Sequence, residues 1–258
     1  METQIDLKYE KILDFMVAAG KRLLFKAGNI QDIGVTKINL TEEDLAIERG
    51  LKDVIKSSSK DAEVFAEEEN GIFKDSKNLW VIDPISGTHQ FIRGLPHYSI
   101  VVTHLLNHQP QFAAVYDPSA DELFTAYSGK GSFLNQKPIR ISKGTANIII
   151  RTSSAWSDPA AVDSVKNFVA GKNIENNTYS MAVNYCSVAR GKADGIISFS
   201  KDAFPEFAGQ LIIKEAGGVF TNVDESEHIQ PGDRIFIGGN KSVYAELLSL
   251  IRQSLVKI

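Results

Sequence analysis

Cysteine is almost absent from this chain. Cys186 stands alone among 258 residues, so no internal disulfide can form and the fold must hold on its own core. Long apolar runs are also missing, and none reaches the about 20 residues that a spanning helix needs. No charge sign dominates: 28 Lys and Arg face 32 Asp and Glu, for a formal net charge of -4. That balance provides no broad basic field for nucleic acid or an anionic membrane surface. Repeats, low-complexity tracts and long linkers are lacking as well. His97, His104, His108 and His228 have no metal-ligand spacing and are read as structural. Cys186 lies in an apolar helical stretch and is read as a small buried hydrophobe. Met1 to Asp6 is polar and acidic, unlike a secretion signal, so a cytoplasmic location is expected.

What remains is ordinary for a globular protein, with 43% hydrophobic and 23% charged residues, enough for a sizeable core. An apolar stripe at helical spacing marks Ile5 to Ala27, and Thr41 with Asp44 three residues on marks the start of a second helix, to about Ser57. Ala62–Ala66 and Leu79–Ile82 read as short strands ending at acidic residues. A β-rich block follows at Tyr98–Leu106, Gln111–Tyr116, Glu122–Tyr127 and Ser132–Leu134, with turns at Asn107 to Pro110 and Asn135-Gln136. Strands are then expected at Ile148–Thr152, Gly195–Phe199, Val219–Thr221 and Ile235–Ile237. Helices are expected at Pro159–Val169, Met181–Arg190, Pro205–Ala216 and Val243–Leu255. The natural seam is Ser142-Lys143-Gly144, which divides the chain into halves 1–142 and 143–258, the second completing a site begun in the first.

Three segments carry chemistry. Glu67-Glu68-Glu69 follows a strand; three carboxylates read either as a solvated turn or as oxygen ligands for a hard cation. Asp83-Pro84-Ile85-Ser86-Gly87-Thr88 ends another strand. Here Pro84 fixes a turn, the Ile85 carbonyl can face inward, and Gly87-Thr88 can open a helix whose N–H groups hold an anion. A capped turn with Asp83 as N-cap is the structural alternative. In Thr41 to Asp44, an acid in a first helical turn is ordinarily a cap.

Taken together, these segments resemble the inositol monophosphatase family of Mg²⁺-dependent, Li⁺-sensitive phosphomonoesterases. Trp80 to Phe91 matches the signature W-x-I-D-P-(I/L)-D-G-T-x-x-F except at Ser86. Further likeness lies in Lys37 with Thr41 to Asp44, Phe65 to Glu68, and Ala114 to Pro118. It continues through Glu122 to Ala126, Gly129 to Gly131 and Phe133 to Asn135. Ala182 to Asn184, Ala193 to Gly195, and Glu215 to Gly218 complete it. The resemblance implies an α-β-α-β-α layered α+β fold of the fructose-1,6-bisphosphatase type, with the site between the halves, and a homodimer.

Carried over by position, the resemblance implies a first metal held by Glu67, Asp83 and the Ile85 carbonyl. Asp44 and Thr88 would orient the attacking water. Gly87 and Thr88 would seat the phosphate, with Asn184 near the substrate. A second metal would need carboxylates where this chain has Ser86 and Pro205, so one Mg²⁺, or Mn²⁺, is expected. Glu206, or Asp202, is a possible substitute ligand. The family's sugar-contacting Glu falls on Ser198; Lys37, His89, Arg93 and Lys201 could line the mouth or be plain surface. The expected function is slow or atypical hydrolysis of a small phosphorylated metabolite, a sugar, cyclitol or nucleotide phosphate. The alternatives are a catalytically inactive member that binds a phosphorylated ligand or protein partner, and a fold redirected to another reaction. Neither nucleic acid nor membrane is expected as a partner.

Overall fold

The computed structural model describes residues 7–35, 38–68, 76–152, 163, 172–175, 179–200, 204–230 and 232–255. Within them, apolar residues on alternate positions of the strands go to opposite faces, and both faces of each sheet are buried. In β2 (Asn78–Ser86), Trp80 and Ile82 join one core cluster while Leu79 and Val81 join another. The same split recurs in β3 (Ser99–Leu106) and β4 (Gln109–Asp117).

These strands belong to a seven-stranded sheet in sequence order, with β1 (Glu63–Ala66) at one edge and β5 (Glu122–Tyr127), β6 (Gly131–Leu134) and β7 (Lys137–Pro138) on the other side. Only β1 and β2 pair parallel; the rest is an antiparallel meander. One face packs on α1 (Leu7–Lys26) and α2 (Glu42–Ser58) through Ile12, Met16, Leu23, Ile47, Leu51 and Ile55. The other packs on α4 (Met181–Ala189) and α5 (Phe204–Glu215), while α3 (Thr88–Ile92) is a single short turn.

A second sheet, in order β11-β12-β10-β8-β9, closes the far side of α4 and α5. Its strands are β8 (Asn147–Thr152), β9 (Asn173–Glu175), β10 (Gly195–Phe199), β11 (Val219–Asn222) and β12 (Ile235–Gly239). Along β8, Ile149 faces α4 and α5, whereas Ile148 and Ile150 face α6 (Lys241–Leu255). The layers therefore run α-β-α-β-α, as the sequence resemblance implies. Each fully buried Leu, Ile, Val, Phe or Met side chain contributes about 1.5–3 kcal/mol to holding them together. Gly209 lets α4 and α5 approach closely, since a Cβ there would lie 2.3 Å from the Tyr185 ring.

Several expectations need correction. β2 does not stop at Ile82 but runs on to Ser86, and Pro84 lies where its register against β3 shifts between Asp83 and Ser86. A residue without an N–H is tolerated in a sheet at such a bulge. Likewise β4 begins at Gln109, and Pro110 sits beside the register shift at His104/Leu105. The turn is therefore only Asn107-His108, both with positive φ, as a tight hairpin requires. The short strands β7 and β9 carry too little pattern to be read in advance. The helix expected at Pro159–Val169, apart from Asp163, lies outside the described residues, as do Lys37, Glu69, Lys201 and Asp202.

At the expected seam, Asp194 clasps the chain that enters the second sheet. Its carboxylate accepts from the Ser142 hydroxyl and from the N–H groups of Ala146 (2.9 Å) and Asn147 (2.8 Å). Burial pushes the Asp194 carboxyl upward, but those three donors outweigh it and hold the pKa below the ordinary 3.8. A lowered folded value means stability present above the unfolded pKa and lost as pH falls through the folded one. Asp194→Asn should therefore lower the melting temperature at neutral pH and flatten the acid decline below about pH 4, which thermal melts across pH will measure.

Candidate metal and phosphate site

The site begins where β1 and β2 end. Their parallel register pairs Ala66 with Ile82, so one step further Glu67 comes beside Asp83, about 5 Å away along the hydrogen-bonding direction. The Glu67 N–H continues the ladder to the Ile82 carbonyl at 3.3 Å. From α2, fully buried Glu48 accepts the Glu68 N–H at 3.1 Å and pairs with Lys52 at 2.8 Å. Glu48 thereby anchors the acidic strand end. Sequence reading passed over it because one Glu on a helix has no visible partner until its neighbour in space is known.

Thr41 and Asp44 form a capping box at the start of α2, with the Thr41 N–H donating to Asp44 Oδ2 at 2.8 Å. The cap leaves Oδ1 facing Thr88, whose Oγ1 lies 3.3 Å from it and 2.7 Å from the Ile85 carbonyl. Asp44 thus caps α2 through one oxygen and meets Thr88 through the other. Gly87 before α3 has φ 82°, a left-handed conformation that costs glycine little.

Ser86 is not left idle where a carboxylate is missing. Ser180 Oγ donates to Ser86 Oγ at 2.9 Å and lies 2.8 Å from Ser99 Oγ. Ser180 also caps α4 and donates its N–H to the His97 carbonyl at 2.8 Å. Asn184, fully buried in α4, donates to the Ser180 carbonyl at 3.1 Å. The C-terminal half is in this way bolted to the end of β2.

Phe204, at the start of α5, has its ring centroid 4.6 Å from that of Phe65, two residues before Glu67. The structure therefore brings the start of α5, including Pro205, to this end of β1. Fully buried Glu206 takes part in a hydroxyl cluster, in which its Oε1 accepts from Tyr185 (2.8 Å), Ser198 (3.4 Å) and Ser200. Burial and then the nearby Glu206 push the Tyr185 phenol well above its ordinary value, so it stays a donor. Burial likewise pushes the Cys186 thiol up, which leaves it protonated and unreactive. His89 and Arg93 lie together on α3 and the residue after it, 3.4 Å apart.

The donor set can be weighed against a metal. Glu67, Asp83 and the Ile85 carbonyl are hard oxygen donors, and Mg²⁺ needs only one or two carboxylates with waters and phosphate completing its shell. They fit one ion. A second finds only the neutral Ser86 hydroxyl, already hydrogen-bonded, and Pro205, which has no side-chain oxygen. No group of three or more His, Cys, Asp or Glu placed to hold a metal occurs among the described residues.

The comparisons with known proteins agree with this architecture. Residues 18–256 match the model of the inositol monophosphatase family. The chain belongs to that family. It is 31% identical over 224 residues to the Nus factor SuhB of Haemophilus influenzae, covering 84% of this chain and 83% of the relative. It is 29% identical over 225 residues to the fructose-1,6-bisphosphatase/inositol-1-monophosphatase of Thermotoga maritima, covering 85% and 84%. A solved Thermotoga maritima IMPase superposes with a TM-score of 0.84 at 25% identity, covering 96% of this chain and 98% of that one. The family generally uses Mg²⁺ and binds phosphorylated substrates. Among the described residues no helix is long and apolar enough to cross a membrane.

Ser180→Ala removes a helix cap and both links to Ser86 and Ser99. A loss of about 1–3 kcal/mol of stability is expected, measured by urea denaturation with the slope unchanged.

Proposed function

We propose that this chain binds a small phosphorylated metabolite, a sugar, cyclitol or nucleotide phosphate, together with one Mg²⁺, and hydrolyses the ester slowly. The observation that carries this reading is the placement of Thr88 Oγ1 between the Ile85 carbonyl and Asp44 Oδ1, beside the paired strand ends bearing Glu67 and Asp83. Glu67, Asp83 and the Ile85 carbonyl would hold the ion, with Mn²⁺ as a substitute. When bound, it supplies Lewis-acid polarisation of the phosphoryl group and a more acidic water.

The remaining work belongs to the chain. Asp44 Oδ1 and Thr88 Oγ1 orient the attacking water, and Asp44 can take its proton. Gly87 and Thr88 receive phosphate oxygens on their N–H groups, and Asn184 buttresses the neighbouring wall. Slowness follows from the leaving side, where Ser86 and Pro205 offer no charge for a second ion to neutralise the departing oxygen. Losing one optimised charge contact to a transition state costs about 10²–10³ in rate. In this reading Glu206 stays with its hydroxyls and does not replace the missing carboxylates. The halves 1–142 and 143–258 act as one unit, in a homodimeric, cytoplasmic protein without a nucleic-acid or membrane partner.

A second reading is favoured by Ser86 and Pro205 together and by the relatives that carry the name Nus factor. In it the chain binds a phosphorylated ligand or a protein partner without turnover.

Two measurements separate these readings. Mg²⁺ titration by calorimetry should show one ion per chain, lost in Glu67→Gln and Asp83→Asn; two ions would refute the single-site assignment. Phosphate release from a panel of phosphomonoesters should be slow in the native chain and rise at least about 10²-fold in Ser86→Asp/Pro205→Asp. Fast native turnover with no gain in the double variant overturns the proposal, and silence in both forms favours binding without turnover.

A further inference from the structure

The carboxyl ends of parallel strands are where α/β sheets place ligands, and both sheets direct such ends here. β1 and β2 bring Glu67, Asp83 and Ser86; β8 and β10, also parallel, bring Arg151 and Ser198, which are register partners. Arg151 has the parity of Ile149 along β8, and Ser198 that of Ile196 along β10. Both therefore lie on the face toward α4 and α5.

The Arg151 guanidinium donates from Nη2 to the Tyr179 carbonyl at 3.1 Å. The next residue is Ser180, whose hydroxyl reaches Ser86. The path from guanidinium to the end of β2 is thus one carbonyl, one residue and one hydroxyl pair. The Tyr179 ring lies 4.1 Å from the His97 ring, which steadies the segment that orients Arg151. Ser198, the register partner of Arg151 on β10, belongs with Ser200 and Tyr185 to the hydroxyls that Glu206 Oε1 accepts. A half-buried cation acts through less solvent than a surface one, and a guanidinium fork matches the oxygens of a carboxylate or phosphoryl group.

We infer that Arg151 is the specificity residue of this site, and that it selects a phosphomonoester bearing a second anionic group, a carboxylate or another phosphoryl, over one bearing only hydroxyls. The inference rests on Gly87 and Thr88 being the phosphate seat. The sequence hid this residue, because an Arg at the end of an apolar strand belongs to no motif and meets Tyr179 only through a contact 28 positions away.

The test is calorimetric, with Mg²⁺ present, on three probes that share a glycerol skeleton: glycerol phosphate, phosphoglycerate and glycerol bisphosphate. The native chain should bind at least one of the two doubly anionic probes about 10- to 100-fold more tightly than glycerol phosphate, and which of them gains identifies the second group. Arg151→Gln should abolish that preference, bringing the doubly anionic probes to the affinity of glycerol phosphate, and Arg151→Lys should restore part of it. Equal affinities for all three in the native chain overturn the inference while leaving the phosphate seat intact. An Arg151→Gln variant that melts earlier yet keeps the preference also overturns it, and shows that Arg151 serves to hold Tyr179 in place. No binding of any probe to the native chain removes the phosphate seat itself, and the inference with it.

Discussion

The site depends on the hydroxyl of Ser180. It caps α4, meets Ser99 of β3 and donates to Ser86 at the end of β2, so one oxygen ties the middle helical layer to the first sheet. Buried polar groups are stable only when their partners are in place. Here the partners come from two neighbouring strands, 94 and 81 positions away in the chain, and from the first turn of α4. Their mutual satisfaction sets where the C-terminal half sits on the platform built by the N-terminal half. Asn184, Tyr179 and, through Tyr179, Arg151 all take their positions from that junction.

Much of this was legible in the sequence, for identifiable reasons. Near-continuous apolar runs announce strands buried on both faces, and Thr41 with Asp44 announces the start of α2. The run from Trp80 to Phe91 carries the platform almost whole, because consecutive residues at a strand end are already neighbours in space. The pairing of Glu67 with Asp83 was reachable only through the family resemblance, since parallel register is not written in either segment. Glu48 and Arg151 escaped for the same cause: each is an ordinary helical or strand residue until a distant backbone group gives it meaning. The prolines misled in a consistent way. Pro84 and Pro110 read as turns, yet each lies at a bulge that a strand passes through.

Hydroxyls recur on both sides of this junction. Ser86 and Ser180 meet on one side, while Ser198 and Ser200 surround Glu206 on the other. A carboxylate at position 86 would place a second anion beside Asp83 and call for a cation between them. The hydroxyl needs none and can be satisfied by another hydroxyl.

The three serines also form a chain in which each oxygen can give one proton and receive another. Such a chain has two senses, and rotation about the Cβ–Oγ bonds converts one into the other while the carbon skeleton stands still. An anion seated at Gly87 that accepts from Ser86 would extend the sense in which Ser180 already donates to Ser86.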